Sequence, residues 1–404
     1  MQIYKVGGAV RDKLLGRKVV DHDYVVVGAT VDEMLAEGYT PVGKDFPVFL
    51  HPKTHDEYAL ARTERKVAKG YHGFEFYAAP NVTLEDDLIR RDLTINAIAE
   101  DEQGNLYDPY HGVDDLNNRV LRHVSSSFAE DPLRVLRVAR FAARYADYGF
   151  VIADETMAMM QCLVDHDEID ALVAERVWQE VEKALIDENP WIFFEVLRQC
   201  GALKRLFPEI EQLFGVPQAK QWHPEIDTGI HTMMVLEQAA RISKESVVRF
   251  AALVHDLGKG ITPKEELPRH IDHESKGVPL VEALCNRLKV PKNYSALALL
   301  VTEFHLNYHR IEELKPSTIV DLLTRLDAFR RPERFEYFLL ACEADARGRT
   351  GYEDSSEEKT QRFRDFFNAA NAVHTREIVA QGYKGLEIAE KLRIKRIDAV
   401  RAIK

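Results

Sequence analysis

The sequence predicts an α/β N-terminal domain with a small mixed sheet, followed by regions built entirely of α-helices. Short β-branched runs broken by glycines are concentrated in residues 1 to about 110. From about residue 115 the pattern becomes helical, with an Asp-Pro pair at 131 and an Asn-Pro pair at 189 that signal helix starts. Gly201 stands where a helix would end. We therefore expect little or no sheet after residue 125.

Length and composition narrow the class of protein. A chain of 404 residues can hold roughly two to four domains, and its 46% hydrophobic and 30% charged residues exclude disordered and collagen-like chains. No apolar run approaches the roughly 18 residues of a membrane helix, and the N-terminus lacks signal-peptide features. The four cysteines are too widely spaced for a disulfide framework, so we expect buried thiols. We predict a cytoplasmic protein that does not contact membranes.

Charge is distributed unevenly along the chain. The net charge of −12, from 54 Lys and Arg against 66 Asp and Glu, counts against a nucleic-acid partner when taken over the whole chain. Phosphate binding, however, responds to the local field rather than to the total charge. Residues 132–144 contain four arginines and no acidic residue. This segment is therefore a candidate for phosphate contact.

Two adjacent glycines begin the first candidate site. In the segment GGAVRD, Gly7 and Gly8 stand where a loop enters a predicted helix. Glycines let backbone N–H groups approach a phosphate closely, and the helix N-terminus and Arg11 add positive potential. By itself such a pair is more often an ordinary turn.

A pair of aspartates follows on a predicted strand. Asp21 and Asp23 have strand spacing and point to the same face. Carboxylate oxygens select Mg²⁺ or Mn²⁺, and a two-metal clamp activates an attacking hydroxyl and stabilises leaving pyrophosphate. The alternative is a solvated strand edge. We predict that both aspartates are catalytic magnesium ligands, and Glu57 is a candidate third carboxylate.

Arginines supply a further phosphate-binding element. Arg90 and Arg91 precede an apolar helix start, and guanidinium forks bind phosphate oxygens in pairs. An ion pair within the triplet Arg-Arg-Asp is the alternative. Together with the glycine motif, the pair predicts a triphosphate site.

The segment EDPLR predicts how a base is selected. Asp131 and Arg134 have i, i+3 spacing and share one side of a helix's first turn. Cytosine and adenine each present an amino donor beside a ring-nitrogen acceptor, whereas guanine and uracil present the reverse order. A carboxylate next to a guanidinium therefore suits C and A and mismatches G and U. Asp131 is also a candidate helix N-cap, and both roles can coexist.

These motifs together identify a resemblance that covers essentially the whole chain. The chain resembles bacterial tRNA nucleotidyltransferases, the CCA-adding enzymes of the polymerase-β-like class with a C-terminal HD domain. The resemblance implies that Asp21 and Asp23 hold the catalytic metals and that Asp131 and Arg134 select the base. The motifs that carry it are GGAVRD with DHD, RRDLTINAIA, DPYHGVDDL, EDPLRVLRVARFAARY and AERVWQEVEKAL. The residues it assigns to ATP or CTP binding are Gly8, Arg11, Arg91, Arg137 and Arg140.

The resemblance also implies an organisation and partners. It implies a nucleotidyltransferase head over 1–112, a helical neck over 113–215, an HD domain over 225–335 and a helical tail over 336–404. The partners are tRNA, CTP and ATP, with no DNA or membrane, and we expect a monomer or weak homo-oligomer. The basic, poorly periodic segment 62–73 is predicted to be a mobile loop. In the family it takes part in the switch from C to A addition.

Histidines and aspartates form a second candidate site. His255 and Asp256 are adjacent at the end of an apolar helix, with His231 before them and Asp345 downstream. Mixed nitrogen and oxygen ligands suit Ni²⁺, Co²⁺ or Mn²⁺ better than a structural zinc. A hydrogen-bonded core pair is the usual alternative for a single His-Asp pair. The additional candidates are His273 and His305 as ligands or substrate contacts, and His309, which we expect at the surface.

The order of these four residues resembles that in the HD phosphohydrolases. In that family a lysine often follows the His-Asp pair, as Lys259 does here. The implied chemistry is attack of metal-activated water on a phosphoester, as phosphatase, 2′-nucleotidase or 2′,3′-cyclic phosphodiesterase. Three alternatives remain open for the whole chain. They are a bacterial poly(A) polymerase, an RNA-binding protein with inactive sites, and an HD nucleotide hydrolase with a nucleotide-sensing N-terminal domain.

Overall fold

The computed structural model describes residues 1–19, 22–42, 48–66, 74–355 and 358–404. The chain forms two compact units. The first contains Met1–Ala184 and Ile192–Leu206, and the second contains Leu185–Trp191 and Phe207–Lys404. Two predicted features lie outside the described residues: Asp21 and the glycine-containing part of the predicted loop at 67–73.

A seven-stranded mixed sheet forms the centre of the first unit, in the order β3-β4-β5-β2-β1-β8-β9. Both of its faces are covered, because Val25 packs into one apolar cluster with Tyr4 and Leu88, and Val26 packs into another with Phe49. The strands are β1 (Gln2–Val6), β2 (Asp23–Val27), β3 (Thr40–Val42), β4 (Val48–Leu50), β5 (Glu57–Leu60), β6 (Arg62–Lys66), β7 (Phe74–Ala78), β8 (Ala99–Glu100), β9 (Leu106–Tyr107), β10 (Val120–Leu121) and β11 (Val151–Ile152).

The helices of the first unit begin and end where the local signals predict. The carboxylate of Asp131 accepts a hydrogen bond from the N–H of Leu133 at 3.0 Å at the start of α5, and Gly201, with φ of 82°, follows α8. In the described chain only strand β11, paired with β10, lies beyond residue 125. The helices are α1 (Gly8–Leu14), α2 (Val31–Ala36), α3 (Leu84–Ile89), α4 (Gly112–Asn118), α5 (Leu133–Tyr145), α6 (Asp154–Asp165), α7 (Ala174–Ile186), α8 (Pro190–Gln199) and α9 (Ala202–Leu206).

The second unit is helical throughout its described residues. Helices α11, α12, α14 and α16 pack around one another, and residues Val248–Val254 of α12 are all buried. None of the described helices is both long and apolar enough to cross a membrane. The helices are α10 (Pro208–Glu211), α11 (Thr228–Ile242), α12 (Ser246–Val254), α13 (His273–Arg287), α14 (Lys292–His309), α15 (Pro316–Arg325), α16 (Pro332–Arg347), α17 (Glu358–Asn371), α18 (Thr375–Ala380) and α19 (Leu386–Ile403).

Three local predictions are wrong. Residues 62–66 form strand β6, paired antiparallel with β7, because backbone hydrogen bonds define a hairpin whatever the polarity of its side chains. The apolar helix expected after Arg91 is a single 3₁₀ turn, Thr94–Asn96. Cys162 is exposed, since it lies on the outer face of α6, whereas the other three cysteines are buried as predicted.

Candidate active sites

The adjacent glycines do form the turn between β1 and α1. Gly7 has φ of +65°, a conformation that favours glycine, and a Cβ at this position would lie 2.9 Å from Nη1 of Arg91. A Cβ at Gly8 would lie 3.3 Å from Nη2 of Arg11. The turn therefore brings together Gly8, Arg11 and Arg91, three of the residues predicted to bind nucleotide. It does so because its glycines leave room for two guanidinium groups.

Three arginines of the predicted nucleotide site surround one aromatic ring. The guanidinium carbons of Arg11, Arg137 and Arg140 lie 5.3, 5.7 and 4.6 Å from the ring centre of Phe141. These distances fit cation–π contact. Helices α1 and α5 thus present a cluster of three positive charges around a single buried side chain. Phe141 was not predicted from the sequence. The one feature that pointed to it was its position directly after Arg140 on an arginine-rich helix.

Buried acidic groups hold these arginines. Arg140 donates to Glu180 at 2.6 Å, and Arg137 donates to Asp92 at 2.7 Å. Burial alone would raise the pKa of Asp92, but Arg137 and a hydrogen bond from Asn96 hold it well below its ordinary value. Asp92 therefore pairs with Arg137 rather than with Arg90 or Arg91, so the predicted alternative of an ion pair within the triplet is wrong.

The predicted magnesium site lies at the start of β2. Asp23 is exposed and is registered beside Glu57 on the parallel neighbour β5. Because neighbouring residues in register point to the same face, the two carboxylates are placed to share a cation. Oxygen donors of this kind suit Mg²⁺. Asp21, the second predicted ligand, lies outside the described residues.

The two predicted base-selecting residues lie together at the start of α5. Arg134 is buried, and its guanidinium donates to the carbonyl oxygens of Ser127 and Arg90, both at 2.6 Å. Asp131 accepts from Nη2 of Arg176 at 2.8 Å. Each side chain is therefore held by a partner far away in sequence. The motif AERVWQEVEKAL, which contains Arg176, supplies the partner of Asp131.

The second unit brings together the four predicted HD residues. Nε2 of His231 lies 3.1 Å from Oδ1 of Asp345, and Nε2 of His255 lies 3.5 Å from the same oxygen. Nε2 of His255 also lies 3.1 Å from Oδ2 of Asp256. All four side chains are buried. His231, His255 and Asp345 offer ligand atoms close enough to share one ion.

A second set of acceptors adjoins the first. Asp256, His273 and His305 also form a group that could hold an ion, with Nε2 of His273 and Nε2 of His305 only 3.2 Å apart. The expectation that His309 is a free surface histidine is wrong. Its Nε2 lies 2.6 Å from Oδ2 of Asp345. Its position on the inner face of α14, one turn after His305, accounts for this difference.

The hydrogen bonds of the imidazoles show which nitrogen faces the centre. Nδ1 of His255 lies 2.7 Å from the carbonyl oxygen of Ala252, and Nδ1 of His273 lies 2.8 Å from that of His270. A carbonyl only accepts, so Nδ1 is the donor in both rings and Nε2 is the nitrogen turned towards the centre of the cluster. Burial lowers the pKa of His305 to about 3, which keeps that ring neutral.

These Nε2 atoms converge on carboxylate oxygens, and Asp256 and Asp345 raise the pKa of His255 to about 10 against the effect of burial. Oδ1 of Asp256 and Nε2 of His255 are buried without a hydrogen-bond partner in the described residues. Although burial favours a neutral carboxyl group, His255 and Lys259 hold the pKa of Asp256 well below its ordinary value. Lys259 lies 2.6 Å from Oδ2 of Asp256. Converging acceptors of mixed nitrogen and oxygen type fit a divalent transition ion.

Glu225 was not found from the sequence. Its Oε1 lies 3.0 Å from Nδ1 of His223 and 3.0 Å from Nδ1 of His231. A carboxylate on the outer nitrogen of a metal-binding histidine fixes its tautomer and orientation. The only sequence signal was its proximity to His223 in a histidine-rich region.

Comparison with known proteins identifies the domains of the chain. The poly A polymerase head domain matches residues 3–122, a probable RNA and SrmB-binding site of polymerase A matches residues 149–214, and the HD domain matches residues 228–331. The fold and the two clusters thus define a nucleotidyltransferase with an HD domain. Multifunctional CCA proteins of Pseudomonas fluorescens (strain Pf0-1) and Pseudomonas syringae pv. syringae (strain B728a) are each 58% identical to this chain, covering 100% of it and 99% of the relative. The chain belongs to the family of multifunctional CCA proteins.

Solved structures confirm the predicted fold class. A CCA-adding enzyme in complex with CTP matches with a TM-score of 0.65 at 22% identity, covering 99% of this chain and 87% of that chain. The Thermotoga maritima CCA-adding enzyme complexed with tRNA matches with a TM-score of 0.63 at 20% identity, with the same coverage of 99% and 87%. At these identities the likeness establishes an α/β head followed by helical regions.

Proposed function

We propose that this chain adds C, C and A to the 3′ end of tRNA from CTP and ATP, releasing diphosphate, and that its HD domain hydrolyses phosphoesters. The observation that carries the first activity is the cluster of Arg11, Arg137 and Arg140 around Phe141 on α1 and α5. Arg134 of the base-selecting pair lies on the same helix α5, and Asp131 lies just before that helix. The 58% identity to multifunctional CCA proteins supports the same assignment.

The head binds the triphosphate through positive charge and backbone. Arg11, Arg91, Arg137 and Arg140 contact phosphate oxygens, and the turn at Gly8 offers backbone N–H groups. Asp21 and Asp23 hold Mg²⁺, with Glu57 as a candidate third ligand. An ion bound by these carboxylates would supply activation of the attacking tRNA hydroxyl and stabilisation of the departing diphosphate.

Asp131 and Arg134 take the place of a template. The Asp131 carboxylate accepts from the amino group of C or A, and the Arg134 guanidinium donates to the adjacent ring nitrogen. G and U present these groups in the reverse order, so an acceptor would face the Asp131 carboxylate and a donor would face the Arg134 guanidinium. Because Arg176 and the Arg90 carbonyl already orient the two side chains, little rearrangement is needed when a base arrives.

The tRNA is recognised by the shape and backbone of its stacked helical arm, because A-form helices offer little base-specific contact. Binding weakens as salt rises, since phosphate contacts release counterions. We propose the domain limits 1–112, 113–215, 225–335 and 336–404, a cytoplasmic location, no DNA or membrane partner, and a monomer or weak homo-oligomer.

The HD site holds Ni²⁺, Co²⁺ or Mn²⁺ through His231, His255, Asp256 and Asp345. An ion bound by these residues would supply activated water for phosphoester hydrolysis. The acceptor-lined arrangement of these residues, with Nε2 atoms directed at carboxylate oxygens, supports this assignment. Substrates are phosphate monoesters, 2′-nucleotides and 2′,3′-cyclic nucleotides.

The test is extension of a tRNA lacking its 3′-terminal CCA, with Mg²⁺ and each nucleotide supplied singly and together. CTP alone is expected to give two additions, and ATP is expected to give a third only after them. A long A ladder would instead indicate a poly(A) polymerase. No extension under any mixture, with hydrolysis of a 2′-nucleotide intact, would leave only the HD activity.

A further inference from the structure

Asp87 is a buried acid with no role in the chemistry described above. It lies on α3, and it is fully buried whereas its neighbours Glu85 and Asp86 are exposed. Asp86 and Thr83 already form the capping box that starts this helix, so Asp87 is not needed there. A buried carboxylate is unfavourable unless it is paired and hydrogen-bonded. Its partners therefore show what it does.

One carboxylate oxygen of Asp87 holds the predicted phosphate-binding arginine. Oδ2 accepts from Nη2 of Arg91 at 3.1 Å. The other guanidinium nitrogen of Arg91, Nη1, lies against the turn at Gly7, where a Cβ would come within 2.9 Å. Asp87 thereby fixes the direction in which Arg91 reaches the glycine turn.

The other oxygen holds the start of the β6–β7 hairpin. Oδ1 accepts from the backbone N–H of Arg62 at 3.3 Å and from Nη2 of Arg90 at 2.5 Å. Arg90 in turn donates through Nε to the carbonyl oxygen of Arg62 at 3.1 Å. Both backbone polar groups of the first residue of β6 are therefore tied to Asp87, one directly and one through Arg90.

The same arrangement reaches the base-selecting residue. The carbonyl oxygen of Arg90 accepts from Nη2 of Arg134 at 2.6 Å. Asp87 orients Arg90, and Arg90 supplies the acceptor that orients Arg134. A single buried carboxylate thus joins the phosphate arginine, the base-selecting arginine and the hairpin.

We propose that Asp87 is a positioning residue that couples nucleotide binding to the β6–β7 hairpin. The proposal rests on the proposed function in one respect, that Arg91 contacts the nucleotide triphosphate. When the phosphate attracts the Arg91 guanidinium away from Asp87, Arg90 and the backbone N–H of Arg62 remain as the partners of the carboxylate. Their hydrogen bonds to the carboxylate strengthen, and the start of β6 becomes more firmly held.

Amide hydrogen exchange tests this coupling on the full chain, using peptides that span residues 58–66 with and without saturating CTP. In the wild type we expect CTP to slow exchange at the start of β6 by about tenfold, the size of a change in one charge-assisted hydrogen bond. Asp87→Asn keeps the shape but removes the charge, so it is expected to bind CTP without this slowing. Glu85→Gln removes an exposed charge from the same helix and should behave as the wild type.

The outcomes separate the two proposals. If calorimetry shows no CTP binding to the wild type, the proposed function fails. If CTP binds but exchange in residues 58–66 does not respond, or responds equally in Asp87→Asn, the coupling is wrong and the function stands. Should Asp87→Asn not fold, Arg62→Pro removes the same amide donor at the first residue of a strand, where proline is tolerated. It must likewise abolish the slowing at residues 63–66.

Discussion

Arg176 donates a hydrogen bond to Oδ2 of Asp131 at 2.8 Å, while Oδ1 of the same carboxylate accepts from the backbone N–H of Leu133 at 3.0 Å. The two donors approach from different elements, α7 and the start of α5. The carboxylate therefore has one orientation before any nucleotide arrives. A side chain that must distinguish bases by the order of donors and acceptors needs this fixed geometry.

Removing Arg176 is therefore expected to impair base selection. In Arg176→Ala the carboxylate of Asp131 loses its guanidinium partner, and we expect kcat/KM for CTP addition to fall about tenfold, the effect of about 1.4 kcal/mol of lost positioning. Steady-state extension assays with CTP and UTP measure it. Arg176→Lys should recover only part of the activity, because a lysine cannot form the paired fork. Gln179→Ala, an exposed change on α7, is the control, and an equal loss there would contradict the prediction.

Gly7→Ala is expected to weaken nucleotide binding. Its new Cβ would meet Nη1 of Arg91 at 2.9 Å, in a backbone conformation with φ of +65°. We expect KM for CTP and ATP to rise about tenfold, and the free energy of unfolding to fall by about 1–3 kcal/mol. Gly28→Ala is the matched control, because Gly28 has φ of +73° and no atom within 4 Å of an added Cβ. It should lose stability and keep KM, and a similar KM rise in both variants would rule out the contact with Arg91.

Acid should remove the contribution of Asp92 to stability. Its folded-state pKa is lowered, so its pairing with Arg137 stabilises the protein fully above the unfolded pKa of about 4 and is lost as pH falls towards the folded value. At pH 7 we expect Asp92→Asn to lower the free energy of unfolding by about 3 kcal/mol, a low value for a buried pair because Arg137 is partly exposed. Urea unfolding at pH 7 and at pH 3 measures the difference. A gap between wild type and variant that did not narrow at pH 3 would contradict the assignment.

The HD site is expected to function separately from nucleotide addition. His231→Gln removes a buried Nε2 from the shared acceptor set, so bound Ni²⁺ and hydrolysis of a 2′-nucleotide should both fall at least about tenfold. Metal analysis after dialysis provides a readout independent of activity. CCA addition should be unchanged, and His374→Gln, an exposed change just before α18, should alter neither property. Retention of full metal content in His231→Gln would exclude this residue as a ligand.

Local features of the sites were predictable from sequence, and their supporting partners were not. The glycine turn is set by neighbouring residues, so spacing and backbone chemistry suffice to predict it, whereas Asp131 is extended and precedes α5 rather than sharing its first turn with Arg134. Glu180 lies 40 residues from Arg140, and Asp92 lies 45 residues from Arg137. Such pairings depend on how helices pack, which no local pattern encodes. The same holds for His309, whose neighbour Asp345 belongs to a different helix.

The β6 strand was missed for a different reason. Its residues lack the apolar alternation that marks a strand packed on a core, and it pairs with β7 alone in a two-stranded sheet. Backbone pairing between two short strands leaves little trace in composition. Asp87 could not be singled out from the sequence for another reason. It is one of three consecutive acidic residues, and only the structure shows which of them is buried.

The most direct test of this account is incorporation of CTP and UTP, each alone, onto tRNA lacking its 3′-terminal CCA, by the wild type and by Asp131→Ala. If Asp131 and Arg134 select the base, the wild type prefers CTP, and the variant loses about 10- to 100-fold of that preference. A variant that is slower but keeps the full preference for CTP over UTP would show that base selection lies elsewhere.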